Sequence, residues 1–274
     1  LDLQSGGTLD GDGNELTIDG EDGGGYAVEL NGAISGTDTD ITLTTGAVTS
    51  LDLLPSSGSI RNLTINHSSF NGWMQTATTI TGDLTITAGE LTTNSSLNLA
   101  LTVTGECLVG TGTATLTLND SVVALGALKI DSSTATVTAT SSGTLNLTAG
   151  GFGSAYSIYN NGGHLNHAGT MTISAGNYWD IIGATSIVND VVWADTQYFV
   201  GSPTIGGDLI VNASIAMQDY SGPQTLTVTG DVTVNGTLRS LTGLMTSSFG
   251  SLTIASGGTY SAGPTTTLTG VSGS

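Results

Sequence analysis

A short apolar motif returns along this chain at a nearly constant step, and that step limits the folds open to it more than any other feature. Gly82-Asp83-Leu84-Thr85-Ile86, Gly207-Asp208-Leu209-Ile210-Val211, Gly230-Asp231-Val232-Thr233-Val234 and Gly250-Ser251-Leu252-Thr253-Ile254 share one pattern, a short apolar run behind a Gly-Asp or Gly-Ser entry. A period of two sends alternate side chains to opposite faces of a strand. The first apolar residue of one run per unit falls at Ile41, Leu63, Leu84, Leu108, Leu128, Leu147, Met171, Val191, Leu209, Val232 and Leu252, an average step of about 21 residues. That is too long for one hairpin strand and its turn, and it matches one coil of a solenoid holding two or three short strands. The sequence therefore predicts an all-β parallel β-helix (β-solenoid) of about 11 rungs stacked about 4.8 Å apart, roughly 50 Å long. Leu, Val, Ile and Ala would face inward, Thr, Ser, Asn and Asp outward, with Gly or Asn at the corners.

Composition agrees and narrows the function. Thr, Ser, Gly and β-branched residues replace the helix-favouring Lys, Glu, Gln and Arg, and β-branched side chains pack well on a pleated surface. Three Lys and Arg stand against 22 Asp and Glu, a net charge of -19. Lys129, Arg61 and Arg239 are the only fixed cations and form no basic track, which excludes a nucleic-acid partner. Hydrophobic content of 38% is enough for a core. No run of about 20 apolar residues exists, so no transmembrane helix is expected. Cys107 is the single cysteine, which rules out an intrachain disulfide, and its strand-like surroundings suit a buried thiol. The chain starts at Leu1 rather than with Met, as a processed leader or a piece of a longer product would leave it, and an extracellular or cell-surface location is expected.

The segment Thr8-Leu9-Asp10-Gly11-Asp12-Gly13-Asn14-Glu15-Leu16-Thr17-Ile18-Asp19-Gly20 resembles the first rung of right-handed parallel β-helices of the pectin-lyase-like superfamily. The later rungs resemble the Gly-Asp-Leu-Thr-Val-type repeats of bacterial, archaeal and phage surface proteins. Both resemblances imply a solenoid, and the first implies polysaccharide cleavage as an activity to weigh. Residues 1–274 read as a single solenoid domain. Phe152, Tyr156, Tyr159, Tyr178, Trp179, Trp193, Tyr198 and Phe199 mark an elaborated, aromatic-rich region over about 150–200, and a sub-boundary near 150–160 is the alternative.

Several residue groups are candidate sites. Asp10, Asp12 and Asn14 alternate as the oxygen ligands of a calcium loop do, although Glu15 occupies the position where an EF-hand needs Gly; the competing reading is a plain Asp-Gly turn. His164 and His167 lack a third ligand nearby and read as surface histidines rather than a zinc site. Tyr156, Tyr159, Tyr178, Trp179, Trp193 and Tyr198 would contact a neighbouring subunit or a glycan, or else fill the core as a ladder. Asn62, Asn66, Asn94, Asn119, Asn146, Asn212 and Asn235 stand in Asn-x-Ser/Thr sequences and are candidate glycosylation sites. The resemblance brings no catalytic set with it: Arg61 and Arg239 are far apart, and Asp131, Asp180, Asp190 and Asp195 occur singly rather than as the paired carboxylates of glycoside hydrolysis.

These observations lead to a non-enzymatic expectation with no cofactor apart from calcium. The chain is expected to be a structural subunit of an extracellular filament, sheath or surface layer, self-assembling with copies of itself through the solenoid ends or lateral faces. A phage fibre or tailspike segment, or an adhesin that binds cell-surface carbohydrate, is the alternative; a polysaccharide lyase or hydrolase is third.

Overall fold

A computed structural model describes residues 2–3, 6–11, 13–19, 26–30, 32–35, 39–44, 46, 48–53, 58–153, 155–181, 183–261 and 263–270. Among these residues the regular structure is all β, and no helix is long and apolar enough to cross a membrane. The chain is a parallel β-solenoid of about ten coils, close to the eleven expected. All the strand pairings among the described residues are parallel, and pairing runs unbroken through 23 strands because long strands such as Ile60–Trp73 and Thr225–Val234 bend from one side of the coil to the next.

Three sheets line the coil, and each has its own ladder of inward side chains. On the first, Leu63, Leu84, Cys107, Leu128, Ile158, Trp179 and Phe199 lie in register one above another. The second stacks Leu91, Leu116, Val137 and Leu165. The third runs Val103, Leu125, Leu147, Ile173, Trp193, Val211, Val234 and Ile254. Apart from Ile254, all of these are buried. Stacking like on like removes both faces of each aliphatic side chain from water, about 1.5–3 kcal/mol for each one fully buried. Burial pushes the Cys107 thiol up to about 12, so at neutral pH it is an inert member of the ladder.

The register corrects the repeat read from sequence in two places. Cys107, not Leu108, takes the inward place above Leu84, because Leu108 falls on the half-exposed outer face. Leu147 pairs with Leu125 on the third sheet, whereas Leu128 continues the first sheet to Ile158. The even step thus conceals a change of side: Ile41, Leu63, Leu84 and Leu128 follow the first sheet, and Leu147, Met171, Val191, Leu209, Val232 and Leu252 follow the third. The loop between Thr144–Leu147 and Tyr156–Asn160 is closed by an antiparallel bridge from Gly151 to Tyr156 and holds Phe152 at φ 55° and Ala155 at φ 59°. Strand pairing resumes on both sides of it.

The Gly-Asp entries have a specific task at the corners. Between the third and first sheets, Asn62 Oδ1 accepts the Asp83 N–H at 2.7 Å, and Asp83 Oδ1 accepts the Glu106 N–H at 2.7 Å. Between the second and third, Asp190 Oδ1 accepts the Asp208 N–H at 2.9 Å and Asp208 Oδ1 that of Asp231 at 2.8 Å, while Asp231 Oδ1 accepts the Ser251 hydroxyl at 2.7 Å. Asn62, Asp83, Asp190 and Asp208 thereby each satisfy a backbone donor of the following coil, and Asp231 a side-chain hydroxyl, at a bend where the sheet ladder cannot. The preceding glycines stack directly, with Gly105 N–H on the Gly82 carbonyl and Gly230 N–H on the Gly207 carbonyl, both at 2.9 Å. A Cβ at Gly230 would lie 2.6 Å from that carbonyl oxygen and also meet Asp208 Oδ1.

Gly230→Ala is therefore expected to lose about 2–3 kcal/mol of stability, since backbone must move to admit the methyl. Gly222→Ala, at φ 68° with open space around it, is expected to lose about 1 kcal/mol. Urea denaturation of the two variants measures the difference; equal losses would contradict close packing of the corners.

Candidate functional site

Outward side chains of the first sheet form a strip of tyrosines. Register stacks Tyr156 below Tyr178 and Tyr178 below Tyr198, because each begins or enters a strand at the same corner of successive coils. Ring centroids are 5.2 Å apart for Tyr156 and Tyr178 and 5.8 Å for Tyr178 and Tyr198. Tyr159 joins from the same strand as Tyr156 at 4.9 Å, and Tyr220, from the coil beyond Tyr198, meets Tyr178 edge-on at 4.8 Å. Contacts of this geometry each contribute about 0.5–1.5 kcal/mol beyond buried area, so the strip is pre-ordered. Tyr220 is 49% exposed and the other four are partly exposed. The sequence reading passed over Tyr220 because it lies outside residues 150–200, although its place one coil-step after Tyr198 was the available signal.

Charge on this sheet is unlike the rest of the molecule. The strands that carry Arg61, Lys129 and Arg239 all contribute to it. Lys129 pairs with Asp131 at 2.9 Å and sits 5.8 Å from the Tyr159 ring centroid. Arg61 grips Asp40 through two hydrogen bonds of 2.7 and 2.6 Å, and this guanidinium holds the Asp40 carboxyl below its ordinary value. Arg239 donates twice to Gln218 Oε1. Partial burial and the Asp180 charge raise the Tyr156 phenol, and the Tyr220 hydroxyl raises that of Tyr178, so both stay protonated at neutral pH.

Trp179 and Trp193 do not belong to this surface, which corrects the expectation that they touch a partner or glycan. Both are fully buried and meet edge-on at 5.3 Å in the core, since they occupy inward positions of the first and third ladders. His167 is likewise corrected from surface to interior: it is fully buried, whereas His164, on the same strand Gly162–Ile173, lies on the half-exposed outer face. Three residues apart on a strand, the two cannot share a metal ion.

The remaining sequence candidates are scattered. Asp10 ends the strand Thr8–Asp10, and the Asn14 N–H closes a turn onto the Gly11 carbonyl at 2.6 Å; Asp12 lies outside the described residues. Among the described residues no three His, Cys, Asp or Glu side chains gather as a metal would need. Of the glycosylation candidates, Asn66 is exposed, whereas Asn62, Asn94, Asn119, Asn146, Asn212 and Asn235 are partly covered. The Asn62 and Asn94 amides are also engaged, the first with Asp40 and Asp83 and the second with Met74 and Ser96. Asp180 lies beside the tyrosines, while Asp190 serves the corner relay.

Comparison with known proteins adds no relative: no family model, curated protein or solved structure matches this chain.

Two outcomes follow from the interior placements. Trp179→Ala and Trp193→Ala are each expected to cost about 3–5 kcal/mol, visible as a lower urea midpoint, rather than to act as silent surface changes. Burial lowers the pKa of His167 below its ordinary 6.5. The unfolded chain therefore takes up a proton near pH 6.5 that the folded chain refuses, and stability, full above pH 6.5, falls as pH drops below it. His167→Leu is expected to flatten that decline in urea midpoints measured from pH 7 toward 5; an unchanged slope would contradict a neutral buried imidazole.

Proposed function

We propose that this protein is a non-catalytic structural rod of an extracellular assembly, and that its copies dock side by side through the first sheet. The observation that carries the reading is the tyrosine strip: five rings over four successive coils, partly exposed and packed into a pre-ordered surface. Tyrosine supplies large contact area at little cost in side-chain entropy and is enriched where interfaces concentrate their binding energy.

Charge favours a second copy as the occupant. At a net -19, like copies repel unless they meet through a face where that charge is offset. Arg61, Lys129 and Arg239 stand on strands that contribute to the first sheet, with the tyrosines between Lys129 on one side and Arg239 on the other. These cations offset carboxylates of the same face, Asp40 and Asp131 among them, so two copies meet there with less repulsion than elsewhere. A solenoid also suits the role mechanically, since each coil braces the next and the outer sheets form long flat sides. The buried, unreactive Cys107 and the Thr- and Ser-rich exterior are compatible with life outside the cell.

Sedimentation velocity over a wide concentration range, paired with electron microscopy, tests this reading. Native protein is expected to associate, and Tyr178→Ser/Tyr198→Ser is expected to need at least tenfold higher concentration to reach the same mean size while keeping its β-rich circular dichroism. Native protein that remains monomeric at high concentration, or a double variant that associates equally well, would overturn it.

A further inference from the structure

The second sheet carries an exposed tryptophan that neither the core nor the tyrosine strip uses. Trp73 ends the strand Ile60–Trp73 and is 47% exposed. Its indole Nε1–H donates to Asn71 Oδ1 at 3.1 Å, which holds the ring in one orientation. Beside it lies a depression of about 410 Å³ lined by Asn71, Glu90, Thr92, Asn94 and Ser96. A second depression of about 310 Å³ shares Asn71 and Glu90 and continues the groove toward Thr113 and Thr115 on the next coil.

The groove is built rather than incidental. Asn94, at φ 65°, starts the turn that forms one wall, with its Nδ2 donating to the Met74 carbonyl at 3.1 Å and its Oδ1 accepting the Ser96 N–H at 3.0 Å. The Thr117 hydroxyl donates to Glu90 Oε1 at 3.1 Å and orients the carboxylate. Asn119 donates to the Thr92 hydroxyl at 2.9 Å. The result is one fixed aromatic ring beside a row of hydroxyl, amide and carboxylate groups in a concave site of ligand size.

We propose that the Trp73–Glu90 groove binds a neutral oligosaccharide. A sugar ring offers the matching pair of surfaces, an apolar face of C–H groups for the indole and hydroxyls for Asn71, Glu90 and the turn. The lining contains Glu90 and no Lys or Arg, so an anionic glycan would be repelled by the groove as well as by the chain's overall charge. Among the described residues Glu90 is the only carboxylate lining either depression, whereas glycoside hydrolysis uses two. Binding without cleavage is what one carboxylate supports. This site lies on a different sheet from the proposed docking face and does not depend on it.

Tryptophan fluorescence reads the groove directly, because Trp179 and Trp193 are fully buried and Trp73 is the chain's remaining tryptophan. Titration of the whole protein with maltohexaose, cellohexaose, laminarihexaose, mannohexaose and xylohexaose is expected to shift the emission and reduce acrylamide quenching with at least one of them. Trp73→Ala, followed by calorimetry, is expected to weaken that binding at least tenfold, and Asn71→Ala severalfold. Tyr178→Ser/Tyr198→Ser is expected to leave it unchanged, which separates this site from the docking face. No response to any neutral hexamer, undiminished binding by Trp73→Ala, or tighter binding of polygalacturonate than of the neutral glycans would overturn the proposal.

Discussion

Along the sheets of this protein, the backbone donors and acceptors of each described coil point along the solenoid axis and are satisfied by the coil above and the coil below. In-register parallel pairing is therefore the constraint on which the rest depends. It holds over long stretches of sheet, where Thr, Ser and Asn alternate with buried Leu, Val and Ile. It would fail at the bends, and there the Gly-Asp entries take over: glycine lets successive corners touch, and the aspartate of one coil accepts the N–H of the next. A motif that reads in sequence as the start of a strand is, physically, the joint between two coils.

That distinction explains what the sequence disclosed and what it hid. Alternation in runs such as Leu84-Thr85-Ile86 made strands legible, and the step of about 21 residues made the solenoid legible. The step could not show which side of the coil a run lines, because Gly-Asp serves two corners with the same chemistry. The repeat consequently slid from the first sheet to the third between Leu128 and Leu147 without changing its spacing. Leu108 stands at the repeat's step in sequence, yet alternation within Leu101–Val109 turns it outward and Cys107 inward. The aromatic region was visible as a cluster, but its division was not. Trp179 follows Tyr178 by one residue and so faces the opposite way, inward, while the tyrosines face solvent. Trp73 sat alone in sequence, and the groove beside it arises only when the turn after Thr92, one coil later, is folded against it.

The same parallel order separates three properties in space. The first sheet gathers the cations and tyrosines outside, the second presents Trp73 and Glu90, and the interior holds His167 and the two buried tryptophans. Because coils stack without interruption, side chains some 20 residues apart in sequence become neighbours. A surface strip or groove on this scaffold needs only one suitable outward residue per coil, which leaves the inward ladder free to keep its packing. This is how a chain with so few charged and aromatic residues builds defined surfaces.

The central claim, in-register parallel stacking of successive coils, is tested most directly by cross-linking a registered pair. Thr115 and Thr136 are partners on the outer face of adjacent coils, whereas Thr138 is the partner of Thr117. Neighbouring parallel strands place registered Cα atoms about 4.8 Å apart, within disulfide range, and a two-residue offset exceeds about 7 Å. Cys107, buried with its thiol raised to about 12, stays out of the reaction. In folded protein under mild oxidation, Thr115→Cys/Thr136→Cys is expected to form an intramolecular disulfide almost completely, and Thr115→Cys/Thr138→Cys to remain reduced. Equal cross-linking of both pairs, or preference for the second, would contradict the stacking described.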